Sequence, residues 1–195
     1  MRKTASLDAA YFDGLYADKP DPWDFATSAY EARKYDDTLA ALGAERAGRA
    51  LEVGCSIGIL TRRLAAFCDS LVATEVSRAA LDQAEARCAD LWNIDFRLVT
   101  GADQGFDGAH DLIVLSEVVY YWDDADLDRV AAGIRRTLSP GGRILLVHYI
   151  LETDYPKSGD DAVAALWARL GGFVSEQISR RAESYRLDLW RRRRP

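Results

Sequence analysis

The sequence predicts an α/β protein. Its core is a seven-stranded, mostly parallel sheet with helices on both faces and a C-terminal antiparallel strand. Three observations lead there. Short apolar runs alternate with helix-period segments from residue 46 onward, the pattern of parallel strands joined by crossovers. The stretch Leu51-Glu52-Val53-Gly54-Cys55-Ser56-Ile57-Gly58 joins a strand to an amphipathic segment through a glycine-bearing turn. Such a turn lets backbone approach a ligand closely and aims a helix N-terminus at it. Two last strand-like runs, 173–178 and 185–190, face each other across 179–184 as an antiparallel pair.

The elements follow in order. Residues 1–27 are aromatic and turn-rich, with Pro20 and Pro22 favouring an extended path. This reads as a loop that folds over something, and residues 1–45 as a lid or helical cap on a core of 46–195 within a single domain. Ser28 caps a helix to Leu42, stopped by Gly43, with Tyr35, Leu39 and Leu42 on its apolar face. Arg33 and Lys34 fall off that face. Strands are expected at 50–53, 71–74, 96–99, 111–115 and 143–149. Helices are expected at 58–67, from Ser77 to about Leu91, at 123–138 and at 160–170. The 123–138 helix has acids in its first turn, arginines near its end, and Leu127, Val130, Ile134 and Leu138 on one face. Ser139-Pro140-Gly141-Gly142 stops it, and His110 falls in a surface turn.

Composition narrows the function classes. A net charge of −6 argues against nucleic acid as partner, and the short Arg191-to-Arg194 run reads as a solvated tail. Three scattered cysteines form no metal or disulfide pattern, so no metal is expected and a reducing compartment fits. No signal peptide or membrane-length apolar run is found, which points to a soluble, cytoplasmic protein.

The turn identifies its ligand class. A dinucleotide fingerprint starting at Gly54 needs glycines at 56 and 59, where the chain has Ser56 and Ile59. The observed E-x-G-x-S-x-G resembles motif I of class I S-adenosylmethionine-dependent methyltransferases, with Ser56 at the middle glycine. Glu75, 17 residues after Gly58 and at the end of the second strand, can accept hydrogen bonds from both ribose hydroxyls. The resemblance implies a Rossmann-like fold that binds S-adenosylmethionine and releases S-adenosylhomocysteine. It places Glu52 near the methionine amino group and Ala102 and Asp103 by the adenine. Gly54, Cys55, Ser56, Gly58, Val76 and Ser116 join that cofactor set. Asp103 reads equally as part of a surface turn.

A closer resemblance rests on Asp21-Pro22-Trp23, Tyr30-Glu31-Ala32-Arg33, Leu51-Glu52-Val53-Gly54-Cys55, Asp111-Leu112-Ile113-Val114 and Glu117-Val118-Val119-Tyr120-Tyr121. These are similar to the nodulation-type N-methyltransferases, which methylate the amine of a glucosamine-containing oligosaccharide. The resemblance implies that Trp23 packs on the cofactor and Arg33 grips its carboxylate. A guanidinium suits that task by offering two parallel hydrogen bonds. The chain departs from the type around His148-Tyr149-Ile150-Leu151 and through 154–160, so its acceptor is open.

The acceptor is expected to be a small molecule, an amine first, with O-methylation as the alternative and an inactive cofactor-binding protein as the remote one. Glu117 and His148, at the ends of the fourth and fifth strands, are the two candidate bases. Tyr120, Tyr121 and Tyr149 are candidate acceptor contacts. Tyr11, Tyr16 and Trp122 complete a possible aromatic wall, suited to sugar faces and to cations. The oligomeric state is not legible.

Overall fold

A computed structural model describes residues 2–194. Seven strands form one sheet in the order β3-β2-β1-β4-β5-β7-β6. β1 (Ala47–Val53), β2 (Cys68–Glu75), β3 (Ile94–Leu98), β4 (His110–Ser116) and β5 (Leu138–Tyr149) run parallel. β7 (Tyr185–Arg192) is antiparallel to β5 on one side and to β6 (Val174–Arg181) on the other. The expected architecture is the one that forms. Strand order reverses at β1 and β4, which opens a crevice beyond their C-terminal ends.

The sheet is covered on both faces, so its central strands are apolar throughout. Leu112, Ile113, Val114 and Leu115 of β4 have no accessible surface, as a strand buried on both sides requires. Leu51, Ile113 and Leu115 pack toward α5 (Asp124–Thr137) and α6 (Gly159–Leu170). Ala50, Leu112 and Val114 pack toward α2 (Ala29–Leu42) and α3 (Ile59–Leu64). α4 (Arg78–Arg87) places Leu81 and Ala84 against Ala73 of β2 and Cys55 of the turn. No helix among the described residues is long and apolar enough to cross a membrane.

Three local expectations need correction. Residues 9–18 are not loop but helix α1 (Ala9–Asp18). Asp8 caps it by accepting from the Tyr11 N–H at 3.0 Å, and Phe12, Leu15 and Tyr16 share one face at helical spacing. α5 ends before Ser139-Pro140-Gly141-Gly142 as expected, but the fifth strand, expected at 143–149, already begins at Leu138, so these residues lie inside β5, and Leu138 pairs with His110. His110 is therefore not in a surface turn. It opens β4 and is fully buried, and both ring nitrogens lack a partner.

Candidate active site

A cavity of about 290 Å³ lies beyond the C-terminal ends of β1, β2 and β4. Its floor is the turn after β1. Its walls come from the turn after β2, residues 99–102 and the exit of β4. Its roof comes from the N-terminal segment. Of the sequence-derived site residues, Trp23, Glu52, Gly54, Cys55, Ser56, Glu75, Val76, Ala102, Ser116, Glu117 and Tyr121 all line it. Arg33, Gly58, Asp103, Tyr120, His148 and Tyr149 do not.

The turn works through shape more than through free donors. Gly54 has φ +75°, and a Cβ there would sit 2.5 Å from Val118 Cγ1. Ser56, at the middle-glycine position, has φ +50°. It thus takes the left-handed conformation that glycine adopts more readily. The Gly54 and Cys55 N–H groups both donate to the Thr74 carbonyl at 2.9 Å, and the Ser56 N–H donates to Glu75 Oε2 at 2.8 Å. The backbone donors of the floor are thus committed to holding the turn. Gly58 serves packing: a Cβ there would lie 2.8 Å from Ala84 Cα on α4.

Two buried carboxylates face the cavity. Glu75 accepts from Ser56, and its Oε1 accepts from the Val76 and Ser77 N–H groups at 2.8 and 3.0 Å. A carboxylate has about four lone-pair sites, so one remains for a ligand hydroxyl. Glu52 is nearly inaccessible, and its Oε2 has no hydrogen-bond partner. Burial pushes its pKa up to about 7, with Glu75 adding to the effect. An orphaned buried carboxylate oxygen on a cavity wall calls for a cationic donor from the ligand. Those groups fit S-adenosylmethionine: an ammonium for Glu52, a ribose for Glu75, and small residues where the chain must come close.

The third carboxylate stands on the far wall. Glu117 follows β4 with φ +58°, an unusual conformation for a non-glycine residue. Its Oε1 takes a hydrogen bond from Lys34 Nζ at 2.6 Å. Its Oε2 takes bonds from the Tyr120 hydroxyl at 2.5 Å and the Tyr149 N–H at 2.9 Å. Burial alone would raise the Glu117 pKa, but the neighbouring groups, Lys34 first among them, together outweigh it and the pKa is lowered. Tyr120 and Tyr149 thus reach the site through Glu117 and not through the cavity.

The structure leaves two sequence-derived roles without support. Arg33 is exposed on α2, while its neighbour Lys34 turns inward and is 2% exposed. The buried cation of this helix is therefore Lys34, which the sequence places off the apolar face together with Arg33. His148 is fully buried on β5, against the Tyr120 ring. Its Nε2 accepts from the Val119 N–H at 3.2 Å, and burial pushes its pKa down to about 4. A neutral imidazole outside the cavity and committed to a backbone donor cannot collect a proton from a bound ligand. Asp103 is exposed and lies outside the cavity lining.

The N-terminal segment contributes more than its loop-like composition suggests. Phe12, Tyr16, Trp23 and Phe25 line the cavity, and the Tyr16 hydroxyl meets Ser56 Oγ at 2.5 Å. The Leu7 N–H donates to the Tyr121 carbonyl at 3.0 Å, and the Asp123 N–H donates to Ser6 Oγ at 2.8 Å. Asp8, Tyr35, Asp126 and Arg129 also reach the cavity and were not singled out from the sequence for this site. Tyr35 and Asp126 sit on helices whose periodicity was clear, but periodicity does not reveal which end of a helix meets a cavity. Tyr11 lies outside the lining, under the Lys3 ammonium at 3.9 Å.

A reversing parallel sheet, a glycine turn after its first strand and a buried carboxylate at the end of its second are features of the class I S-adenosylmethionine-dependent methyltransferase fold. Comparison with known proteins agrees. The family model for nodulation protein S (NodS) matches residues 15–146, and the chain belongs to that family. Nodulation protein S of Rhizobium tropici is 32% identical over 127 residues, covering 64% of this chain and 53% of that protein. The chain spans about half the length of the curated relatives it matches. A solved structure from Pseudomonas syringae is 36% identical with TM-score 0.75, covering 85% of this chain and 100% of that one. The N-methyltransferase NodS of Bradyrhizobium japonicum, solved with S-adenosyl-L-homocysteine, shares the fold at TM-score 0.81 and 21% identity, covering 94% and 97%.

Proposed function

We propose that the chain transfers a methyl group from S-adenosylmethionine to the nitrogen of a small amine, an amino sugar or its oligosaccharide being the substrate class. The observation that carries this reading is the charge of the cavity. Its lining holds five carboxylates, Asp8, Glu52, Glu75, Glu117 and Asp126, against one guanidinium, Arg129. Such a wall favours a cationic donor and a cationic acceptor together. Membership of the nodulation protein S family supports the amine, since a solved relative is named an N-methyltransferase.

The cofactor supplies an electrophilic methyl on a sulfonium. Glu52 holds its ammonium and Glu75 its ribose. Trp23, Cys55, Ser56, Val76, Ala102 and Ser116 wall it in, and Tyr121 belongs to the acceptor side. The chain's main contribution is alignment, since holding nucleophile and electrophile in line is worth about 7–11 kcal/mol. Glu117 has one lone-pair site left of about four after its three bonds. That site accepts an N–H of the acceptor and aims the nitrogen lone pair at the methyl. The amine sheds one proton to solvent before attack. A lowered pKa makes Glu117 a weak base and a good anchor, which disfavours a hydroxyl acceptor that would need a base. Residues 2–45 act as a cap over the cofactor.

Methyl-labelled cofactor offered with glucosamine, ethanolamine and catechol tests this by mass spectrometry. N-methylated product from the amines is expected. Product methylated on oxygen alone would overturn the reading.

A further inference from the structure

The interior beside the cavity contains a charge cluster that ordinary packing does not require. Lys34 is 2% exposed. Its ammonium lies 2.6 Å from Glu117 Oε1 and 2.9 Å from Glu31 Oε2. The Tyr30 ring covers its remaining side at 5.3 Å. Two of the three donors of the ammonium are thereby used on carboxylates, and Lys34 does not line the cavity. It therefore cannot also grip a cofactor carboxylate. Glu117 does line the cavity, and its backbone is held in the left-handed region. Such a conformation is strained for a residue with a side chain and persists only where surrounding contacts over-determine it. Here those contacts come from three places: α2 through Lys34, the short turn Val119–Tyr121 through Tyr120, and β5 through the Tyr149 N–H.

We infer that Lys34 is a positioning residue: it acts through Glu117, holding that carboxylate on the cavity wall as a fixed anion against which the acceptor ammonium docks. This rests on the amine reading given above. One lysine between two glutamates leaves the cluster one negative charge in excess, and Glu117 is the member that faces the cavity. An arriving ammonium neutralises that excess. Without Lys34, both carboxylates would lose the cation between them, and burial, which already raises the Glu31 pKa, would raise that of Glu117 as well. Glu117 would then present a neutral acid to the acceptor and would lose its strongest tether.

The groups that face Glu117 are identified. Glu31, Tyr30 and Tyr35 lie on α2 with Lys34, Tyr120 and Tyr121 on the turn, and His148 on β5. The tyrosines stay neutral, with hydroxyl pKa values raised first by burial. His148 stays neutral as well, with its pKa pushed down to about 4. Lys34 is thus the cation that holds Glu117 ionised near neutral pH.

The test needs no knowledge of the natural acceptor. The protein is labelled with carboxyl-carbon-enriched glutamate, saturated with S-adenosylhomocysteine and titrated by NMR, the Glu117 signal being assigned from Glu117→Gln. In the wild type this carboxyl should titrate below the usual glutamate value of about 4.3. In Lys34→Met it should move up by about two units or more. Cofactor affinity by calorimetry should stay within about threefold, and methyl transfer to an amine that the wild type accepts should fall by about a hundredfold, on the scale of losing a charge-assisted contact in a buried site. If Lys34→Met does not fold, Lys34→Met/Glu31→Gln removes one charge of each sign and should still move Glu117 upward, by less than the single variant, because the repulsion from Glu31 is gone. An unchanged Glu117 titration overturns the inference. So does a large loss of cofactor affinity, which would make Lys34 a cofactor ligand. Failure of the amine reading looks different: the titration shifts as expected, but the wild type methylates no amine.

Discussion

Replacing Glu52 with glutamine isolates the contact on which cofactor binding should be most sensitive to pH. Glu52 is buried, lacks a partner at Oε2, and has a pKa pushed up to about 7 by burial. Its stability contribution to the empty protein is fully present below the unfolded glutamate pKa and is lost as pH rises through about 7. A bound ammonium reverses the balance, because it pairs with the ionised form. Affinity for S-adenosylhomocysteine should therefore fall on acidification: roughly fivefold from about pH 7 to about pH 6, then about tenfold, or ~1.4 kcal/mol, for each further unit. An α-amino group titrates near 8, so the ligand stays charged over this range. In Glu52→Gln the affinity should be about ten- to hundredfold weaker near neutral pH, the scale of one charge-assisted hydrogen bond, and flat with pH. Calorimetry at several pH values reads both quantities. A wild type with no slope, or a variant that keeps it, would refute the pairing of Glu52 with the cofactor's ammonium.

Two further outcomes follow from other parts of the site. Gly58→Ala places a Cβ 2.8 Å from the α4 backbone at a residue with φ +80°, so the urea midpoint should drop by the equivalent of about 1–3 kcal/mol; an unchanged midpoint would mean that α4 does not rest on this turn. His148→Gln should remove an acid-side weakness. A histidine pKa depressed to about 4 contributes stability that is present above its unfolded value and is lost as pH falls toward 4. The wild type should therefore lose about 2 kcal/mol more than the variant between about pH 7 and about pH 5, and equal losses in denaturant unfolding would show that His148 is not buried as a neutral base.

The parts legible in the sequence share one property: their cause is local. The turn from Leu51 to Gly58 reads as a ligand-facing turn because glycine spacing and a strand-ending acid are visible within a few residues. Glu75 reads as the ribose partner because strand length fixes where the second strand ends. The structure puts both on the cavity. α1 was missed although its signals were present. Asp8 stands three residues before Tyr11, and Phe12, Leu15 and Tyr16 follow at helical spacing, but Pro20, Pro22 and the aromatics drew attention to a loop.

What the sequence alone determined is the strand-turn-helix plan, the cofactor class and the carboxylates that line the cavity. Hydrophobic periodicity and turn chemistry act over a few residues and can be read there. Only the tertiary structure decides which cation meets Glu117 and what His148 is bonded to. Arg33 and Lys34 are adjacent on one helix, and nothing nearby chooses between them. The choice comes from Glu117, 83 residues away in the chain, which β4 carries to the N-terminal half of α2. His148 ends a strand as a catalytic base might, yet the Val119 N–H, 29 residues away, claims its free nitrogen. A buried charge or imidazole is defined by the partner that reaches it, and that partner arrives only when the sheet closes.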